Sequence, residues 1–476
     1  MNLRRRFWPL LCGLTAVTGC AHFQPQPLSP AKAAAQFDAR RLDDPGLRSF
    51  IAQNAGSAPA NWPLEKWDLN SLTLAAFYFH PDLAVARAQW RVAQAGVRTA
   101  GARPNPSVTF SPGYDNQIPD NPSPWIIPLT FDIPIETAGK RSKRLAEAEK
   151  AAESARWGLV STAWQIRAGV RASLLDFSLA GRRAELLLRE FVAQTNLVSL
   201  LQSQFAAGAI ARPELTLAQI ALHKTQLDLS DARSQQADAR SRLAQAVGVR
   251  LAALDGLHLN YNFSVGQLDT LTSKAARGVA LRERADILGA LADYAAAEAD
   301  LRLQIAGQYP DLHFGPAYAW NQGSAGDNEW SLGVTLELPI LDQNQGPIAE
   351  AAARRKLAAA KFVALQAQVC GQIDRAVAEL RVAQGQLQIA GQLLAAEQQQ
   401  EKSAQAQFQA GASDRLEVLN AQLESANAAL TRLENEEKLQ SALGALEDAL
   451  QQPADSLAAV IQKMTSENQI GKPSPL

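Results

Sequence analysis

The chain has 476 residues, with 46 Lys and Arg against 47 Asp and Glu, 47% apolar side chains and only 6% aromatic ones, and it carries long runs of Ala, Gln, Leu, Glu and Arg. That length would allow two or three ordinary domains, but the composition is that of long helices rather than one large compact globule. A net charge of -1 without a sizeable basic block speaks against nucleic-acid binding. Three cysteines and five histidines, all scattered, leave little material for a disulfide framework or a metal cage.

In chain order, Arg4, Arg5 and Arg6 precede an apolar run from Phe7 to Val17, followed by Thr18, Gly19 and Cys20. This is the three-part pattern of a secretory signal, too short to remain as a membrane-spanning helix. Val17-Thr18-Gly19-Cys20 resembles the bacterial lipobox, which makes residues 1–20 a lipoprotein signal peptide and Cys20 the lipidated first residue of the mature chain. The alternative is an ordinary signal peptide with an incidental cysteine. Ala21, where Asp would retain a lipoprotein at the inner membrane, fits sorting to the outer membrane. Residues 21–70 then form an N-terminal periplasmic segment. Cys370, in an Ala-rich helical stretch, is expected to act as a small buried hydrophobe.

Beyond the signal no run of 18 apolar residues occurs, whereas a transmembrane strand needs only about 10 alternating residues. Four segments alternate in that way, at about 106–115, 125–135, 310–320 and 330–340. In the second, Trp125, Ile127, Leu129, Phe131, Ile133 and Ile135 share one face, and in the fourth Trp330, Leu332, Val334, Leu336, Leu338 and Ile340 do so. The opposite faces are small or polar, as strands between lipid and a wet lumen require. Half-buried hairpins in a soluble domain are the other reading.

The strands belong to two copies of one unit. Pro106 and Pro310 stand 204 residues apart, as do Phe110 and Phe314 and also Asp82 and Asp286, while Gly208 and Gly411 stand 203 apart. Repeats found first prevent a wrong fold assignment. Here they divide the chain into 71–270, 271–450 and a tail at 451–476. Each copy reads as helix, strand, turn-rich loop, strand, very long helix, tight turn, helix. The long helices run from about Thr137 to Phe205 and from Gln345 to Phe408, with apolar positions such as Leu159, Ala163, Ile166 and Val170 at 3 and 4 spacing. About 65 residues extend roughly 100 Å, so these helices must pack side by side, through Ala, against others like them. Both end in matched tips, at about 205–214 and 408–417, with Gly208 and Gly411 three residues after a Phe, where a left-handed cap favours Gly. Pro213, and Ser413 or Asp414, suit the start of the return helices.

Four strands are too few to close a barrel, whose lower limit is about eight, and open edges do not persist in lipid. Two chains give eight strands and a filled interior, whereas three give twelve and a passage. The expected fold is therefore mainly α with a membrane β-barrel: two tandem strand-pair and long-helix repeats per chain, completed in a homotrimer by a twelve-stranded barrel continuous with a periplasmic α-helical barrel.

The duplicated order, both hairpin signatures and PDLAVARAQW at Pro81 to Trp90 resemble the TolC family of outer-membrane factors, over about Ser71 to Leu450. PIETAGKRSKR at Pro134 to Arg144 and LPILDQNQGPIAEA at Leu338 to Ala351 are similar to the CzcC-type heavy-metal branch, except that Thr137 and Ala138 stand where Leu and Gly are more usual. The resemblance implies an outer-membrane exit duct that docks onto a periplasmic adaptor and an inner-membrane pump of the resistance-nodulation-division type. It places the adaptor contact at the Gly208 and Gly411 turns and the gate candidates at Glu417 and Asn420, with Glu214 a weaker counterpart of Glu417. Asp132 and Glu337 are candidates for the barrel lumen, or else charges near the periplasmic rim. No phosphate loop, HExxH or triad order is present and no cofactor is expected, so catalysis is not. The competing readings are drug-efflux or type I secretion ducts of the same fold, a non-channel coiled-coil adaptor lipoprotein, and an outer-membrane enzyme built on a barrel.

Overall fold

The computed structural model describes residues 22–55, 61–114, 125–262, 271–321 and 328–452. Cys20, the signal segment and nearly all of the C-terminal tail lie outside these residues.

Helices α1 (Pro30–Asp38) and α2 (Pro45–Ala55) and the short strand β1 (Lys66–Trp67) precede the first repeat. That repeat contains α3 (Leu69–Phe79), α4 (Pro81–Ala100), β2 (Ser107–Phe110), β3 (Gly113–Tyr114), β4 (Trp125–Ile135), α5 (Lys140–Ala206) and α6 (Arg212–Val247). A short strand β5 (His258–Leu259) leads to the second: α7 (Lys274–Glu283), α8 (Ala285–Ala306), β6 (Leu312–Asn321), β7 (Asn328–Leu336), α9 (Gln345–Gln409) and α10 (Arg415–Leu450).

The long helices α5 and α9 have 67 and 65 residues, or about 100 Å each. Each packs against two shorter helices laid nearly end to end: α6 then α4 beside α5, and α10 then α8 beside α9. The joints are built alike. At the first, Gly248 ends α6 with φ +81, and a Cβ there would lie 2.9 Å from the Cα of His80, so only glycine lets α6 meet the start of α4. The Arg40 guanidinium donates to the carbonyls of both Phe79 and Gly248, at 2.8 Å each, satisfying helix-end acceptors that have no intrahelical partner. At the second joint Arg284 donates to the Ala449 carbonyl and grips Asp286 through two nitrogens, at 3.0 and 2.6 Å, while Ala285 N–H donates to the Gln451 side chain.

Around the first joint lies the largest core, with Trp67, Leu72, Phe77, Leu83, Leu174 and Leu243 fully buried. Residues 42–51 and 62–67 fold onto it, and β1 pairs in parallel with β5. A second core repeats the pattern with Ile287, Val369, Ile373, Leu380 and Leu446. The tips join through Leu197, Leu201, Leu215, Leu419 and Leu423. Cys370, expected to be buried, is only partly so, because α9 lies at the edge of the protomer.

A ladder of charges ties α5 of one repeat to α10 of the other. Arg167 meets Glu447 at 3.1 Å with 1% and 7% of the side chains exposed. Arg171 meets Asp448 at 2.6 Å, and Arg182 and Arg183 meet Glu436 and Glu434 farther along. Burial raises the pKa of the Asp448 carboxyl, against the pull of Arg171 and Arg167. Gly444 makes room for this ladder, since a Cβ at that position would fall on the Arg171 guanidinium.

The main strands form one antiparallel sheet in the order β2-β4-β6-β7, with β3 continuing the line of β2 along β4. The two repeats therefore share a sheet through β4 and β6 rather than forming separate hairpins. The first strand is interrupted at Ser111 and Pro112, which lie across from Pro128 and Ile127 by the register on either side. Neither proline has an N–H to donate. The last strand ends at Leu336, short of Ile340.

Candidate lumen and periplasmic gate

Strand parity gives the sheet two unlike faces. On one lie Val108, Phe110, Trp125, Leu332 and Val334, together with Trp330, which is 78% exposed in the protomer. Tyr114 stacks edge-on against Trp125, its directly paired partner, and Tyr318 tilts against Trp330. Aromatic pairs of this kind mark the interfacial ends of lipid-facing strands. An apolar surface this large has no covering layer among the described residues, and water alone would not sustain it.

The other face carries Ser107, Thr109, Thr130, Gly315, Ser331 and Thr335. Asp132 lies on it, opposite Ser107 and Gly315 in the strand register and close to the end of the sheet that leads into the long helices. Its carboxylate meets Nδ1 of His313 at 3.0 and 3.1 Å. In the sequence His313 is one of five isolated histidines; the register of β4 against β6 brings it to an aspartate 181 residues away. Glu337 has the same parity but falls one residue beyond β7, exposed at the helix-side edge.

That edge is held by a different carboxylate. Asp311 accepts from Lys140 Nζ at 2.8 Å and from Thr137 N–H at 2.9 Å, and the Thr137 hydroxyl donates to the Pro310 carbonyl. Burial works to raise the Asp311 pKa, but Lys140 and the Thr137 amide overcome it and hold the carboxyl below its ordinary value. Thr137 thus has a bonding role that Leu could not fill. Ala138 has φ +52 and Gly139 φ +66, so Ala138 occupies left-handed backbone that suits Gly better. In the second repeat Asn344 takes the left-handed position, φ +63, and its amide donates to the Gln304 carbonyl.

At the far end the two tips have the same turn. Gly208 and Gly411 have φ +73 and +74, and Ala209 N–H and Ala412 N–H donate back to Gln204 and Gln407 at 2.8 Å each, the six-residue closure of a Schellman cap. The return helices begin differently. Pro213 stands in the first turn of α6, whereas Asp414 caps α10 by accepting from Glu417 N–H at 2.9 Å. Glu417 and Asn420 lie one turn apart and both are exposed, while Val418 and Leu419 between them are buried. Glu214 is exposed at the corresponding place on α6. Between the tips and the joints, a cavity of about 220 Å³ among α5, α6 and α10 is lined by Asp176, Arg183, Arg242, Glu434 and Glu437. Burial, then the charge of Asp176, raises the pKa of the Glu437 carboxyl there.

The outer membrane efflux protein family matches residues 77–249 and again 277–451, once on each repeat. The chain belongs to the outer membrane efflux protein family. The cobalt-zinc-cadmium resistance protein CzcC of Cupriavidus metallidurans is 28% identical over 298 residues, covering 61% of this chain and 69% of that one. Among solved structures, the outer membrane protein VceC of Vibrio cholerae has a TM-score of 0.66 at 20% identity, covering 80% of this chain and 95% of its own. CusC has a TM-score of 0.65 at 18% identity, covering 82% and 94%. The fold is that of the TolC-like outer-membrane channels, and the protein is an outer-membrane efflux channel. Family and fold are those of channels rather than enzymes.

Proposed function

We propose that three copies of this chain form the exit duct of a tripartite efflux system and that its cargo is heavy-metal cations. The similarity to a cobalt-zinc-cadmium resistance protein carries the cargo assignment. The open edges β2 and β7 support the trimer: joined edge to edge, three four-stranded sheets close a twelve-stranded barrel and leave no backbone unpaired in lipid. The polar face, with Asp132, lines the lumen, and the apolar face meets lipid.

In this assembly the helices continue the wall into the periplasm. The Gly208 and Gly411 turns form the tip that receives a periplasmic adaptor and, through it, an inner-membrane resistance-nodulation-division pump. Three Glu417 carboxylates, each with Asn420 beside it, form the gate, where their potential attracts cations and resists close approach. Cys20 carries the lipid anchor.

Deletion of the gene followed by complementation tests the cargo: tolerance to cobalt, zinc and cadmium salts should return with the wild-type chain. Recovery of drug tolerance or of protein secretion in its place would overturn the metal reading in favour of another duct of the same fold. Glu417→Ala should raise single-channel conductance in planar bilayers; conductance equal to that of the wild type would remove Glu417 from the gate.

A further inference from the structure

We propose that the Asp132–His313 pair is a weak, exchangeable binding site for imidazole-seeking divalent cations of the zinc class, placed on the lumen wall at the helix-side end of the barrel. Its position in the lumen rests on the channel reading, not on the cargo.

The pair has the arrangement that makes a histidine a metal ligand. A carboxylate only accepts hydrogen bonds, so the contact of Asp132 with Nδ1 at 3.0 and 3.1 Å places a proton on Nδ1, and in the neutral ring the lone pair is then on Nε2. A carboxylate behind an imidazole orients the ring and raises the basicity of its other nitrogen, as it does around protein-bound zinc. Both side chains remain accessible, at 43% and 45% exposure, so a hydrated ion can reach them. Across the strands His313 faces Pro134 and Thr335, and Asp132 faces Ser107 and Gly315, so no cation on these directly paired neighbours competes for the carboxylate.

The surroundings also set the strength of binding. Among the described residues no cluster of three His, Cys, Asp or Glu side chains could hold a metal, so water must complete the coordination sphere. One imidazole per protomer favours zinc, copper or nickel over magnesium, which prefers oxygen ligands. Weak binding is what a conduit needs, because an ion must leave as readily as it enters.

The test uses the full-length trimer in planar bilayers, with zinc chloride alone as probe and magnesium chloride as its control. Zinc should reduce the single-channel current and magnesium should not. His313→Asn should raise the half-blocking zinc concentration by about tenfold or more, and Asp132→Asn should do so by about 10–100-fold, the usual effect of losing a carboxylate behind a ligand. Open-channel current without zinc, with the trimer band on native gels, verifies that each variant still folds. No zinc block of the wild type, equal block by magnesium, or block unchanged in His313→Asn would overturn the site. Cells that gain no metal tolerance from the chain would refute the cargo reading; His313-dependent block measured in the same protein would still support the site.

Discussion

Helices α5 and α9 are the two copies of one unit, nearly equal in length and ending in the same glycine turn, yet α5 buries eighteen positions and α9 only eight. The reason is placement. Helix α5 packs against α3, α4, α6, α8 and α10, and so lies at the centre of the protomer, whereas α9 touches α7, α8 and α10 and lies at its margin. Their charges follow the same division. Helix α5 pairs Arg167 with Glu447 in the interior, while on α9 Asp374 pairs with Arg277 in the open, with 61% and 41% of the side chains exposed. Apolar residues on α9 such as Val363, Val382 and Ile389 remain exposed. Duplication copied the helix, and packing then placed one copy at the centre of the protomer and the other at its margin.

The largest expected effect separates these two kinds of charge. Arg167→Ala leaves Glu447 buried without its partner and should cost about 3–5 kcal/mol in denaturant unfolding of the solubilised protein. Asp374→Ala on the marginal helix should leave the midpoint unchanged within error, because its pair with Arg277 is exposed on both sides and such pairs contribute little. Equal costs would break the contrast between the two helices.

Leu179 and Val382 occupy equivalent positions of the two helices, 203 residues apart, and are 4% and 59% exposed. Leu179→Ala should lower protomer stability by about 2–5 kcal/mol through the cavity it leaves. Val382→Lys should leave protomer unfolding nearly unchanged and instead shift trimer to monomer, as read by light scattering. A trimer insensitive to Val382→Lys would remove α9 from the subunit boundary.

A smaller change concerns the two strand-to-helix junctions, one with Ala138 and the other with Asn344 in left-handed backbone. Ala138→Gly should raise stability by about 1 kcal/mol, since alanine is strained there; the thermal midpoint checks this. The smallest effect is that of Asp311, whose pKa is lowered from 3.8. A depressed carboxyl contributes stability that is complete above its unfolded value and disappears as pH falls through the folded one. The unfolding free energy of Asp311→Asn should therefore depend less on pH below about 4 than that of the wild type, with a modest amplitude, since a third of the Asp311 side chain is exposed and water screens the pair.

Much of this architecture was legible in the residues because it depends on short-range periodicity. The apolar parity of β4 and β7, the glycines that close both tips and the near-constant spacing between copies are local features. The interruption at Pro112 was not visible as one, since it needs Pro128 nearly opposite in the partner strand. Cys370 by itself gave no sign that its helix was marginal, although α9 carries 14 Gln and 6 Leu where α5 carries 4 Gln and 11 Leu. Thr137 and Ala138 could be seen to depart from the related sequences, but the hydrogen bond of one and the backbone strain of the other required coordinates. His313 offered no signal at all: a histidine becomes a candidate ligand through what stands behind its ring.

By itself, then, the sequence determined the order of elements, which strand face is apolar, the length of the long helices and the position of their turns. These follow from the repeat periods of helix and strand and from the few residues that tolerate left-handed backbone. Only the tertiary structure decided that the two repeats share one sheet, that Arg167 is buried against Glu447, and that Asp132 meets His313. Each of these joins residues more than 150 positions apart, and such pairings are set by strand register and helix packing rather than by any pattern along the chain.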